Sequence, residues 1–222
     1  MIRPASLMPI RRKGSPFLAL SGTVLFASLA ASVCIALAAQ ADDDPITKDG
    51  SKTEPLQSGL KPGDKVPTFY VRAITGPLKN KSVCYVCRNG DRPVVMLFIR
   101  EITPQLKQLL KAIDDEVDLH RAAGLRSFGV FLATSSQEIL PQVQTLAFDE
   151  KVNLPLTVAA APSDGSAGKA IHPAAAVTVI LYREQTVTAN FAYRANELTA
   201  EQIEIVVKSI RRLADDEMTN GK

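Results

Sequence analysis

The chain has 222 residues with 26 basic and 23 acidic side chains, a formal net charge of +3. Four of the basic residues, Arg3, Arg11, Arg12 and Lys13, fall in the first 41 positions, which hold no acidic residue, so the remainder is at about −1. That balance argues against a nucleic-acid surface, which needs clustered Lys and Arg on the folded part. With only two of the three cysteines beyond the leader, no disulfide framework staples the fold.

Residues 1–41 read as an address. A positive n-region is followed by Phe17 to Ala39, all apolar or small apart from Ser and Thr, and then by the small-x-small sequence Ala39-Gln40-Ala41. This is the pattern of a signal peptide cleaved before Asp42. The apolar run is also long enough to span a bilayer as an N-terminal membrane anchor. Either way the rest is expected to be exported: periplasmic, secreted or tethered to the outer side of the membrane, with membrane contact only through this segment. Cys34 reads as a small apolar residue of the run, because Ala31 and Val33 are not the Leu and small residue that a lipidated cysteine follows. Residues 42–59 (Asp-Asp-Asp-Pro, then Lys-Asp-Gly-Ser-Lys-Thr-Glu-Pro) are polar and are expected to form a flexible linker.

A single domain is expected over 60–214. Pro62-Gly63 is a turn signal, Phe69 to Ile74 a short strand stopped by Gly76-Pro77, and Leu78 to Val83 a short return strand. Cys84-Tyr-Val-Cys87 and the turn Asn89-Gly90-Asp91 lead into Pro93-Val-Val-Met-Leu-Phe-Ile99, a continuous apolar run of the kind that forms a central strand covered on both faces. Thr103-Pro104 opens a helix with Thr as N-cap and Pro at the first position. Leu106, Leu109, Leu110, Ile113 and Val117 make its apolar stripe. Asp114, Asp115 and Glu116 fall largely off the stripe and read as a solvated face, and Gly124 ends the helix. Ser127 to Ala133 is the next buried strand, and the β-α-β unit so formed implies parallel strands.

Ser135-Ser-Gln-Glu138 has capping-box spacing and opens a second helix, with Pro141 early in it. Asn153 to Ala160 is a third parallel strand. Ser163 to Gly168 reads as a surface loop without phosphate-loop spacing. Ala176 to Tyr182 and Thr186 to Tyr193 form a hairpin around a polar turn. Thr199-Ala-Glu-Gln202 starts a last helix with Ile203, Val206, Val207, Ile210 and Leu213 inward, and 215–222 is expected to be a polar tail.

Parallel strands first, then an antiparallel hairpin and a closing helix, give an α/β domain with a central mixed sheet flanked by helices. Leu60-Lys-Pro-Gly-Asp-Lys-Val-Pro-Thr-Phe69 resembles the opening of the peroxiredoxin and thiol-reductase branch of the thioredoxin-like superfamily. Leu154-Pro-Leu-Thr-Val, Val177 to Tyr182 and Thr186 to Phe191 resemble its later half. The resemblance implies a thioredoxin-like fold over roughly 60–214. It also implies a reactive cysteine just after the central strand at the N-terminus of the next helix, where helix N–H groups stabilise a thiolate. Here that position reads Arg100-Glu-Ile-Thr-Pro-Gln and holds no cysteine. The family's cis-proline before the hairpin has its nearest counterpart in Pro173. Arg100-Glu101, at the end of the central strand, is open to two readings: a remnant binding site or a structural ion pair.

Cys84 and Cys87 instead precede the central strand, as a cysteine pair on a loop. Four readings stand: a redox-active disulfide, favoured in an exported compartment, with Arg88 and Arg92 near enough to stabilise a thiolate; a local structural disulfide; half of a metal site; or free thiols. His120 and His172 are the only histidines that could complete a metal set, since two cysteines are half of a tetrahedral one. Arg88 after the second cysteine rules out Cys-x-x-Cys-His haem attachment. No cofactor is implied. Two functions follow: thiol-disulfide oxidoreductase-like chemistry through Cys84 and Cys87 on a protein thiol or disulfide partner, or a non-catalytic binding or metal-handling module of the cell envelope.

Overall fold

The computed structural model describes residues 55–159, 168 and 170–220. The leader, Cys34, the first part of the linker and most of the Ser163–Gly168 loop lie outside the described residues. The elements in chain order are β1 (Val71–Ala73), β2 (Ser82–Val83), α1 (Tyr85–Asn89), β3 (Val94–Ile99), α2 (Pro104–Leu119), β4 (Arg126–Phe131), α3 (Ser136–Asp149), β5 (Leu156–Ala159), β6 (Val177–Arg183), β7 (Thr186–Tyr193) and α4 (Ala200–Asn220). Among the described residues the strands form one mixed sheet in the order β2-β1-β5-β4-β3-β6-β7. β3, β4 and β5 are parallel neighbours, and β6 runs antiparallel beside β3.

All six residues of β3 are buried, and the pleat sends alternate ones to opposite faces. Val95, Leu97 and Ile99 pack with the stripe of α2 and with Val206, Ile210 and Leu213 of α4. Val94, Met96 and Phe98 join Phe69, Phe128, Tyr182 and Tyr85 in a second cluster on the other face. The continuous run is thus explained by two cores sharing one strand. Thr103 caps α2, its Oγ1 accepting from Leu106 N at 3.1 Å. Ser135 does the same for α3 through Glu138 N at 3.4 Å.

Several expectations are revised. α2 ends at Leu119, five residues before Gly124, whose φ of 80° belongs to the turn that follows. Packing starts before residue 60. Ser58 is buried, its Oγ lies 2.8 Å from Thr178 Oγ1 and accepts from His172 N, while Asn190 Nδ2 donates to the carbonyls of Ser58 and Leu60. These hydrogen bonds act together with Leu56 and Leu60, which pack against the second cluster, and such sparse apolar residues read as linker in the sequence. α4 continues to Asn220 rather than stopping at 214. Its apolar stripe ends at Leu213 and Ala214, but no helix breaker stands before Gly221.

Asp114 and Glu116 are not on a solvated face: they are 2% and 4% exposed. Asp114 accepts from Asn153 N, Asn153 Nδ2 and Leu154 N, which ties α2 to the segment entering β5. Glu116 Oε1 accepts from Arg211 Nε and Nη2, which ties α2 to α4. Only Asp115 behaves as expected, pairing on the surface with Lys111 one turn away.

The β6–β7 turn places Glu184 and Gln185 at φ 49° and 56°, the left-handed geometry of a type I′ turn. Neither residue favours it. Replacing the pair by Asn-Gly is expected to raise the unfolding free energy by about 1 kcal/mol, read as a higher urea midpoint at unchanged m value.

Candidate functional site

The cysteine pair sits on α1, a five-residue helix not expected from local sequence pattern. Cys84 is its N-cap, in extended backbone, and its Sγ accepts from Cys87 N at 3.1 Å. Gly90, at φ 56° and ψ −126°, ends the helix, its N–H reaching Val86 O. Cys84 and Cys87 form a disulfide of 2.06 Å. The two sulfurs differ in environment. Cys84 is 5% exposed and belongs to the second core cluster, whereas Cys87 is exposed. Tyr85 anchors the helix by stacking on Phe128, with ring centroids 5.1 Å apart.

Strand registers place this site in the sheet. Val83 pairs with Val71, and Val71 with Ala159, one residue past the row formed by Val158, Phe131 and Ile99. Cys84 therefore leaves the sheet at the carboxyl ends of the parallel strands, but from its outermost strand. α1 then lies on the face opposite α2. The pair is neither on a free loop nor at the helix start after β3.

The position after β3 carries no redox group. Thr103 there is only a cap, and Arg100 and Glu101 form no ion pair with each other among the described residues. Arg100 instead bonds through its backbone N to Ala176 O and through Nη2 to Ile171 O. No peptide bond among the described residues is cis, so Pro173 is trans. It opens a turn closed by Ala175 N to His172 O.

Neither histidine is placed with the cysteines. His120 Nδ1 lies 3.0 Å from Glu116 O, and His172 Nδ1 accepts from Ala174 N. No group of three His, Cys, Asp or Glu side chains suited to a metal ion occurs among the described residues. Arg88 and Arg92 line clefts in which neither cysteine takes part. One of these clefts also holds Tyr85, Arg121, Arg126 and Ser127, residues that sequence reasoning did not single out. They come from separate segments and share no local pattern.

The loop closed by the disulfide spans four residues. On the loop-entropy relation such a bridge contributes about 2 kcal/mol, against about 3 for a fifteen-residue loop. A bond of this kind constrains little beyond its own turn.

No family model matches the sequence and no curated protein matches it. Solved structures do match. A Chlorobium tepidum protein provisionally assigned as a thiol:disulfide interchange protein of the DsbE type aligns at 15% identity and TM-score 0.54, over 70% of this chain and 99% of that one. Peroxidoxin BcpB from Mycobacterium tuberculosis aligns at 16% identity and TM-score 0.50, over 69% and 97%. The thioredoxin domain of a thiol-disulfide oxidoreductase from Bacteroides vulgatus aligns at 14% and 0.50, over 68% and 99%. Likeness at these identities is likeness of fold. The protein has a thioredoxin-like fold, with its Cys-x-x-Cys on a short helix that packs on the face of the sheet opposite α2.

Proposed function

We propose that the protein is an exported thiol-disulfide exchange protein working through Cys84 and Cys87. The observation that carries this reading is the asymmetry of the disulfide: one sulfur is exposed and the other is buried and hydrogen-bonded. A thiolate from a protein partner attacks the exposed Cys87 sulfur, the S–S bond breaks, and Cys84 leaves as a thiolate held by the Cys87 N–H. A second thiol of the partner then attacks the mixed disulfide. Two electrons and two protons pass to the cysteine pair, and the partner's dithiol becomes a disulfide. The leader supports an oxidising compartment, in which such a bond persists. The low cost of opening a four-residue loop supports reversibility.

A glutathione redox titration of the full chain is expected to give a two-electron transition that disappears in Cys87→Ser. Cys84→Ser, which leaves the exposed thiol without its resolving neighbour, is expected to trap mixed disulfides with partner proteins, whereas Cys87→Ser is not. A bridge that does not exchange with glutathione at any ratio would overturn the proposal and leave a non-catalytic module as the reading.

A further inference from the structure

The amino-terminal ends of β3 and β4 meet the end of α1 in a cleft of about 310 Å³. Four guanidinium groups line it: Arg88 and Arg92 from either side of the Asn89–Asp91 turn, Arg121 after α2, and Arg126 at the start of β4. Arg121 is paired with Asp118, and Arg126 donates to the carbonyls of Arg121 and Leu125. Arg88 and Arg92 have no carboxylate partner among the described residues. The carboxylate lining the cleft is that of Asp114, whose two oxygens already accept three N–H groups. The cleft is therefore strongly cationic. Burial and the like charges of Arg92 and Arg121 lower the Arg126 pKa, as expected where cations crowd without a counter-ion.

Two buried hydroxyl groups also line the cleft. Tyr85 and Ser127 are 7% and 6% exposed, and neither the Tyr85 hydroxyl nor Ser127 Oγ has a hydrogen-bond partner among the described residues. A buried hydroxyl without a partner is costly, on the order of 1–3 kcal/mol each, and an anion in the cleft they line would offer them an acceptor. Planar guanidinium forks with hydroxyl donors suit an oxyanion that accepts from several directions. A phosphate dianion fits in charge and in acceptor number, and the cleft has room for a small organic group attached to it.

We propose that this cleft is a binding site for a phosphate dianion, either inorganic phosphate or a small phosphate monoester, held by Arg88, Arg92 and Arg126 and by the hydroxyls of Tyr85 and Ser127. Tyr85 and Arg88 stand on α1 beside the disulfide, but neither cysteine lines the cleft, and anion binding there needs no reaction at the pair.

The test is isothermal titration of the full chain with inorganic phosphate and, separately, glycerol phosphate, at ionic strength held constant with chloride. Saturable binding of either is expected, binding of glycerol phosphate alone assigning the site to esters. Arg88→Gln and Arg92→Gln, both at exposed positions, should each weaken binding about tenfold, the loss of one charge-assisted contact. Tyr85→Phe, which keeps the ring on Phe128, should weaken it about threefold or more. Arg72→Gln on β1, outside the cleft, should leave it unchanged. Absence of saturable binding for both ligands would overturn the proposal, as would affinity that falls equally in Arg72→Gln.

Discussion

Asp114→Ala is expected to lower the unfolding free energy by about 2–4 kcal/mol, seen as a lower urea midpoint with the m value unchanged. The side chain is buried and its oxygens accept from Asn153 N at 2.9 Å, Asn153 Nδ2 at 3.2 Å and Leu154 N at 2.9 Å. Alanine leaves the Leu154 N–H buried without an acceptor and detaches α2 from the segment that enters β5. Asp114→Asn is expected to be nearly as damaging, since its amide presents a donor to donors. Asp115→Ala, one residue along, removes only an exposed pair with Lys111 and should change stability by less than about 0.5 kcal/mol. If the two alanine variants proved alike, the inter-element role of Asp114 would be wrong.

Phe128→Ala is expected to cost about 3–5 kcal/mol. Phe128 is fully buried in β4, stacks on Tyr85 and lies at a tilt to Phe69, with centroids 6.5 Å apart. Its removal opens a cavity and also takes away the surface on which α1 rests. Phe128→Leu keeps much of the volume and should lose far less. Phe148→Ala, at a side chain 83% exposed, should be within about 0.5 kcal/mol of the parent. Thermal unfolding followed by near-ultraviolet circular dichroism reads all three, and a mild Phe128→Ala would mean that the second cluster contributes little.

What could be read from the chain is what local physics writes there. The run Val94 to Ile99 announces a doubly covered strand, and Thr103-Pro104 and Ser135 to Glu138 announce helix starts, because periodicity and capping act within a few residues. The absence of a cysteine after β3 was equally plain. Features that depend on distant partners were hidden. Asp114 and Glu116 flank the apolar stripe at positions that suit water as well as they suit Asn153 or Arg211, which lie 39 and 95 residues away. Ser58 looks like linker until Thr178, 120 residues on, is placed beside it. α1 escaped notice because a cysteine serves as its cap and its five residues are too few to show a period. The arginine cleft escaped because its cations come from α1, the end of α2 and β4, so no stretch of sequence is conspicuously basic.

The shortness of α1 has a consequence for local opening. At its two caps it is closed by Arg88 N to Cys84 O and Gly90 N to Val86 O, at 3.1 and 3.2 Å, and the covalent bond closes that same turn. Cleaving the S–S bond removes the one tie that fraying cannot break, while the sheet beneath keeps its hydrogen bonds and its core. Segments this short open far below the global unfolding free energy. The oxidation state of the pair is therefore written into the exchange rates of a handful of amides between Cys87 and Gly90, while the amides of β3, a few residues further on, keep time with the whole domain.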